Sequence, residues 1–213
     1  MGHSRAEKAQ SRERILSIAG QIIRERGIDA ISIADLMKQA GLTHGAFYVH
    51  FASRDALIAA ALERALQDGE AASAAGNRSG GKRTVKSIVN GYLSRTHRDG
   101  PAAGCAVSSL SGEVARGGAL TRKIMMAKLD RYFESMAAAS TSASDDPARA
   151  QDFAMGAWST MVGAIILSRV FAGDPKADEI LLAARNAILT LDGQTAPDRP
   201  TEPTPEAIGK TLL

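Results

Sequence analysis

The stretch that decides the fold is Ser32-Ile33-Ala34-Asp35-Leu36-Met37-Lys38-Gln39-Ala40-Gly41-Leu42-Thr43-His44-Gly45-Ala46-Phe47-Tyr48-Val49-His50-Phe51. Ile33, Leu36, Met37 and Ala40 recur at the spacing of one helix face, which predicts a short helix with a buried stripe. Ser32 stands where an N-cap belongs, with Asp35 in the capping-box position three residues on. Gly41 ends that helix. Only Leu42 intervenes before Thr43, a second N-cap. With Thr43 as cap, Leu42 and Phe47 form a hydrophobic staple that sets the angle of a third helix over Thr43 to His50. Two short helices joined through a glycine turn are the sequence form of a helix-turn-helix.

Outward on the N-terminal side, Ile15, Ile18, Ala19, Ile22 and Ile23 make the stripe of an amphipathic first helix over about residues 8 to 26. Gly27 stops it. On the C-terminal side, Ser53 caps a fourth helix, with Asp55 favoured in its first turn by the helix dipole. Leu57, Ile58, Ala61, Leu62, Ala65 and Leu66 give that helix a wide apolar face.

The exposed residues of the third helix are small or polar. Small residues at a helix N-terminus let the backbone approach base edges in a major groove. Thr43, Tyr48 and His50 supply hydroxyl or imidazole groups for phosphates or bases. Arg54 adds a cation at the start of the fourth helix, and Arg5, Lys8, Arg12 and Arg14 another set near the first. The net charge is only +3, so tight binding to a polyanion calls for two such units acting together.

These residues resemble the TetR family of transcriptional regulators. The resemblance covers about residues 9 to 62 and rests on Arg14-Ile15-Leu16, Gly27, Ile33-Ala34-Asp35-Leu36, the run from Ala40 to Phe51, and Arg54-Asp55-Ala56-Leu57. Arg54 stands where lysine is commoner in the family. The resemblance implies an all-α homodimer with an N-terminal three-helix DNA-binding domain and a C-terminal six-helix ligand-binding and dimerisation domain. It implies DNA contacts at Ser32, Thr43, His44, Gly45, Ala46, Tyr48, His50 and Arg54. It also implies a repressor that binds palindromic operator DNA and is released by a small-molecule effector. The domains expected are residues 1–53, 54–193 and a tail over 194–213, which holds four of the seven prolines.

Beyond residue 80 no motif is as specific. Composition still argues for helices, because aromatics are only 4% of the 213 residues and Ala and Leu abound. Further helices are predicted over about 82–97, 103–116, 119–138, 147–171 and 175–192, with a mobile loop at Gly76 to Lys82 and a Ser/Thr/Asp loop at Ser140 to Asp146. The 147–171 segment is apolar almost all round, so it must be covered on two sides. With the 175–192 stripe it suggests a four-helix bundle between two copies. An effector pocket is expected among Met125, Leu129, Tyr132, Phe133, Met136, Trp158 and Met161.

Cys105 is the only cysteine. Placed in the first turn of the 103–116 helix, beside Arg95, His97 and Arg98, it is expected to have a lowered pKa and to be a candidate redox or electrophile sensor. A Gly-Cys here is similar to a branch of the family that includes oxidant-responsive repressors. The lone cysteine, the polar N-terminus and the short apolar run Met161 to Leu167 point to a cytoplasmic protein without a membrane span. No GxSxG, P-loop, HExxH or CxxC motif is present, so no catalytic residue, metal site or cofactor is expected. A scaffold that had lost DNA binding would carry acid on the Thr43 helix, and none lies between Thr43 and His50.

Overall fold

The computed structural model describes residues 5–75, 83–141 and 146–193. The loop expected at Gly76 to Lys82, most of that expected at Ser140 to Asp146, and the tail over 194–213 lie outside the described residues. The described chain is all-helical. Its elements are α1 (Arg5–Arg26), α2 (Ile33–Gln39), α3 (Phe47–His50), α4 (Arg54–Ala75), α5 (Val85–Tyr92), α6 (Arg95–Asp99), α7 (Ala106–Arg116), α8 (Ala119–Ala139), α9 (Pro147–Val170) and α10 (Lys176–Leu191). Single 3-10 turns occupy Ile28–Ala30, His44–Ala46 and Pro101–Ala103.

Two apolar cores organise these helices. The first gathers Ile15, Ile23, Leu36, Met37, Phe47, Phe51, Leu57 and Leu62 with Val107, Leu110 and Met125. It joins the helix-turn-helix to α4, α7 and α8, so that unit is not a bead on a string. Each fully buried Leu, Ile, Met or Phe in it contributes about 1.5–3 kcal/mol of transfer free energy. The second core lies among α5, α8, α9 and α10, around Val89, Leu93, Met136, Met161, Ile165 and Ile188. Tyr132 and Val162 pack against both.

Three local expectations are corrected. The helix expected over 82–97 breaks at Leu93, because Ser94 caps a new helix by accepting a hydrogen bond from His97 N–H at 3.2 Å. The helix expected from 103 begins at Ala106, with a 3-10 turn at Pro101–Ala103 before it. The third helix opens as a 3-10 turn, and the Thr43 side chain makes no capping hydrogen bond. The caps expected at Ser32 and Ser53 are present, with Ser32 Oγ accepting from Asp35 N–H and Ser53 Oγ from Ala56 N–H, and Asp146 caps α9 with Pro147 in its first turn.

Candidate nucleic-acid interface and sensor core

The turn between α2 and α3 is built from backbone chemistry. Gly41 sits at φ +71°, a left-handed conformation that glycine adopts without strain. Its N–H donates to Lys38 C=O at 3.0 Å, and Leu42 N–H donates to Met37 C=O at 2.8 Å. This is the paired closure of a Schellman motif. Arg14 of α1 donates to Ala40 C=O at 3.0 Å, which holds the end of α2 from the other side. Arg14 therefore has a structural duty in addition to its charge.

The recognition segment is docked by its rings and open elsewhere. Phe47 is buried, stacks on Phe51 with centroids 5.7 Å apart, and meets Tyr48 edge-on at 5.2 Å. Tyr48 is 68% exposed and Val49 57%. Thr43, His44 and Gly45 are exposed, and a Cβ added at Gly45 would meet nothing within 4 Å. Nothing inside the fold requires a glycine there. The Arg12 guanidinium lies 4.6 Å above the Phe51 ring, a cation-π contact that parks a positive charge beside the recognition helix. Burial and the neighbouring charges of Lys8 and Arg12 lower the His50 pKa, so the imidazole is neutral at pH 7. Of the eight sequence-derived contact residues, Ser32, Thr43, His44, Gly45 and Tyr48 are exposed, and Ala46, His50 and Arg54 are half-buried. Arg54 Nη2 donates to Ile28 C=O at 3.1 Å, so this cation also ties α4 to the end of α1.

The sensor-side residues are only partly brought together. Tyr132 stacks on Trp158 with centroids 4.6 Å apart and planes 8° from parallel, and Trp158 Nε1–H donates to Tyr132 C=O at 3.0 Å. Phe133 and Met161 pack in the same second core, whereas Met125 is buried in the first and Leu129 packs against that one. Tyr92 of α5 extends the aromatic cluster. It meets Trp158 edge-on at 5.1 Å and His97 at 4.4 Å.

Cys105 differs from expectation. It is the residue before α7, not a member of its first turn, and its side chain caps nothing. Burial pushes its thiol pKa up, against the expected lowering. The expected positive charge is also absent. His97 Nε2 accepts a hydrogen bond from Cys105 N–H at 3.1 Å, so His97 Nδ1–H donates to Tyr92 C=O at 2.7 Å and the ring is neutral. Burial, with Arg169 nearby, lowers its pKa. Arg95 and Arg98 point instead to Asp178 of α10, at 2.5 Å and 2.7 Å.

Bonds on both sides of Cys105 reach the DNA-binding unit. Buried Arg24 of α1 donates through Nε to Ala102 C=O at 2.5 Å and lies 3.4 Å from Asp68 of α4. Glu113 of α7 accepts from Ile28 N–H at 2.6 Å. Nothing in the spacing of Arg24 or Glu113 announces these roles. Buried Lys128 pairs with Glu70 of α4 and lies 5.2 Å over the Tyr132 ring.

A buried three-helix unit presenting a small-residue helix, joined to a helical core, defines a helix-turn-helix transcriptional regulator. Residues 15–61 match the family described as bacterial regulatory proteins, tetR family. An uncharacterized HTH-type transcriptional regulator of Mycobacterium tuberculosis is 30% identical over 187 residues, spanning 84% of this chain and 94% of that one. The HTH-type transcriptional repressor BepR of Brucella suis is 41% identical over 51 residues, 24% of each chain. The fold matches the crystal structure of a TetR-family transcriptional regulator from Cytophaga hutchinsonii with a TM-score of 0.73 and 17% identity, over 93% of this chain and all of that one. The chain belongs to the TetR family.

Proposed function

We propose that this regulator is a repressor that binds palindromic operator DNA as a homodimer and is released by a small-molecule effector. The observation that carries the reading is the exposed face of the recognition segment: Thr43, His44, Gly45 and Tyr48 face outward while Phe47 and Phe51 anchor them. Ser32, Ala46, His50 and Arg54 flank that face and complete the proposed contact set. Helix N-terminal amides and small side chains suit close approach to a duplex. Work on DNA places the protein in the cytoplasm, and nothing in this reading assigns it a catalytic role.

The dimer would form through α9 and α10. Met155, Ile166, Leu167 and Val170 of α9 and Leu191 of α10 are exposed large apolar residues, at 39%, 43%, 54%, 75% and 70%. Cβ atoms added at Gly156 and Gly163 of α9 would meet nothing within 4 Å, which leaves room for a second helix to approach. The same helix is long and apolar enough to cross a membrane by length and composition. Its Trp158, Met161 and Ile165 are instead buried in the second core, and a partner copy accounts for the rest of its apolar surface.

Effector binding would act on the region of Cys105, Leu129, Tyr132, Phe133, Trp158 and Met161, with Met125 on the side of the first core. Movement there reaches α1 through the Arg24 and Glu113 bonds. Two recognition helices must sit about 34 Å apart to enter successive major grooves, so a small shift of α1 and α4 releases one half-site. Modification of Cys105 would serve the same release, but the raised thiol pKa favours a non-covalent effector.

Selection of duplexes from a random pool, followed by footprinting, tests this reading. A palindromic consensus with half-sites about one turn apart and a steep loss of binding with salt are expected. Failure to enrich any sequence would overturn it.

A further inference from the structure

We propose that the interior beside Cys105 binds a small organic carboxylate, held by the Tyr92 hydroxyl and the Arg169 guanidinium. The proposal rests on the ligand-responsive reading above and names the chemistry of the effector.

Most polar groups in this cluster are already spent. Both His97 ring nitrogens are engaged, the Trp158 N–H is donated to Tyr132 C=O, and Ser108 O–H is donated to Cys105 C=O at 3.0 Å. The Tyr92 hydroxyl is the exception. Its oxygen is fully buried and makes no hydrogen bond of ordinary geometry, the Cys105 thiol and the Ser108 hydroxyl being only weak neighbours. Cys105 and Ser108 are the polar groups that act on it most strongly. A buried hydroxyl without a partner is rare in a native fold and calls for an acceptor.

Arg169 supplies the second half. Arg24, Arg64, Arg95, Arg98 and Lys128 each pair with a carboxylate. Arg169 pairs with none among the described residues. Its nitrogens donate to Arg98 C=O at 3.1 Å and His97 C=O at 3.2 Å, and Nη1 reaches the Ser108 and Ser109 hydroxyls only at 3.5 Å. Burial works against its charge, as expected of a cation without a counter-ion. Ser108 links the two groups, being near Tyr92 on one side and Arg169 on the other.

The cluster thus offers donors and the unpaired charge of Arg169, whereas the Glu70 carboxylate that acts on Tyr132 is paired with Lys128. Its thiol and both tyrosines are held in their neutral forms by burial. The complement of a guanidinium and a phenol O–H is an anion with two acceptor oxygens, which a carboxylate provides. The rings of Tyr92, Tyr132 and Trp158 that pack around these groups are apolar, so the body of the ligand is hydrocarbon.

Trp158 is the only tryptophan, so its fluorescence reports on this cluster directly. Acetate, hexanoate and benzoate, each beside its uncharged amide, are titrated into the full chain. At least one acid is expected to shift the emission saturably and to bind at least about tenfold tighter than its amide. Tyr92→Phe should weaken that acid severalfold without lowering the melting temperature, since it deletes an unpaired hydroxyl. Arg169→Gln should abolish the preference for acid over amide, and Arg169→Lys should keep part of it. The proposal is overturned if no acid binds, if acid and amide bind alike, or if Tyr92→Phe binds as tightly as the parent. Operator binding without any acid is measured in parallel. Its presence with no acid response sinks this inference alone, and its absence sinks the regulator reading.

Discussion

The Glu113 carboxylate of α7 accepts the Ile28 N–H at 2.6 Å, while the carbonyl of the same Ile28 accepts from Arg54 of α4. One peptide segment at the end of α1 is therefore gripped by α7 and by α4. Gly27, at φ +87°, lies so close to Glu113 that an added Cβ would sit 2.7 Å from Oε1. Glu113→Ala strands the Ile28 N–H and should cost about 1–3 kcal/mol. Gly27→Ala adds a clash and a strained backbone and should cost more than about 1 kcal/mol. Urea denaturation checks both, and an unchanged midpoint for either would show that the grip carries no energy.

The residues proposed to face DNA should separate binding from folding. Tyr48→Ala and Gly45→Leu change exposed positions, so melting temperatures should stay within about 2 °C of the parent. Operator affinity should fall about 10- to 100-fold, the scale of one lost base or backbone contact. Gel-shift titration with the selected duplex decides the matter. Parental affinity in both variants would remove these residues from the interface.

Charge on the exposed face of α9 should break the dimer. Leu167→Glu and Val170→Glu place carboxylates on residues that are 54% and 75% exposed in one chain, so each subunit should still fold. Sedimentation should report a monomer, and binding to the palindrome should weaken far more than binding to a half-site. A dimer that survives both substitutions would place the interface elsewhere.

Acid should destabilise the fold through two half-buried imidazoles, His97 more than the more exposed His50. Burial is the main cause that lowers the pKa of both His50 and His97, so the unfolded chain takes up protons first as pH falls. Their contribution is fully present above about pH 6.5, the ordinary histidine value, and is lost progressively as pH drops below it toward the folded-state values. Melting temperature should therefore decline between about pH 7 and pH 5. His97→Gln should flatten part of that decline in differential scanning calorimetry. A flat profile in the parent would contradict the buried neutral assignment.

Asp192 closes the C-terminal end of the helical core. It is 1% exposed and accepts from Ser140 Oγ at 2.7 Å and from Thr141 N–H at 3.2 Å. Asp192→Ala removes charge-assisted bonds and leaves donors buried, a loss of about 1.5–3 kcal/mol. Thermal denaturation reads it, and a loss below about 0.5 kcal/mol would mean that water replaces the carboxylate.

Local rules were enough for the helix-turn-helix. Ser32, Gly41 and Ser53 act through hydrogen bonds and dihedral angles within a few residues of themselves, so their roles are written in the order of the chain. The apolar stripes of α1, α4 and α9 are legible for the same reason, since a helix converts spacing into a face. The family followed from those residues, and the comparisons agree with it.

Only the tertiary structure decided what the Cys105 region is. Its thiol pKa depends on who surrounds it, and Tyr92, Tyr132 and Ser108 arrive from three different helices. The positive charge expected from Arg95 and Arg98 was diverted to Asp178, about eighty residues away in the chain. Arg24 and Glu113 became ties between the helix-turn-helix unit and the helices packed on it for the same reason. Electrostatics and burial act through space, and no local spacing encodes the partner that folding brings.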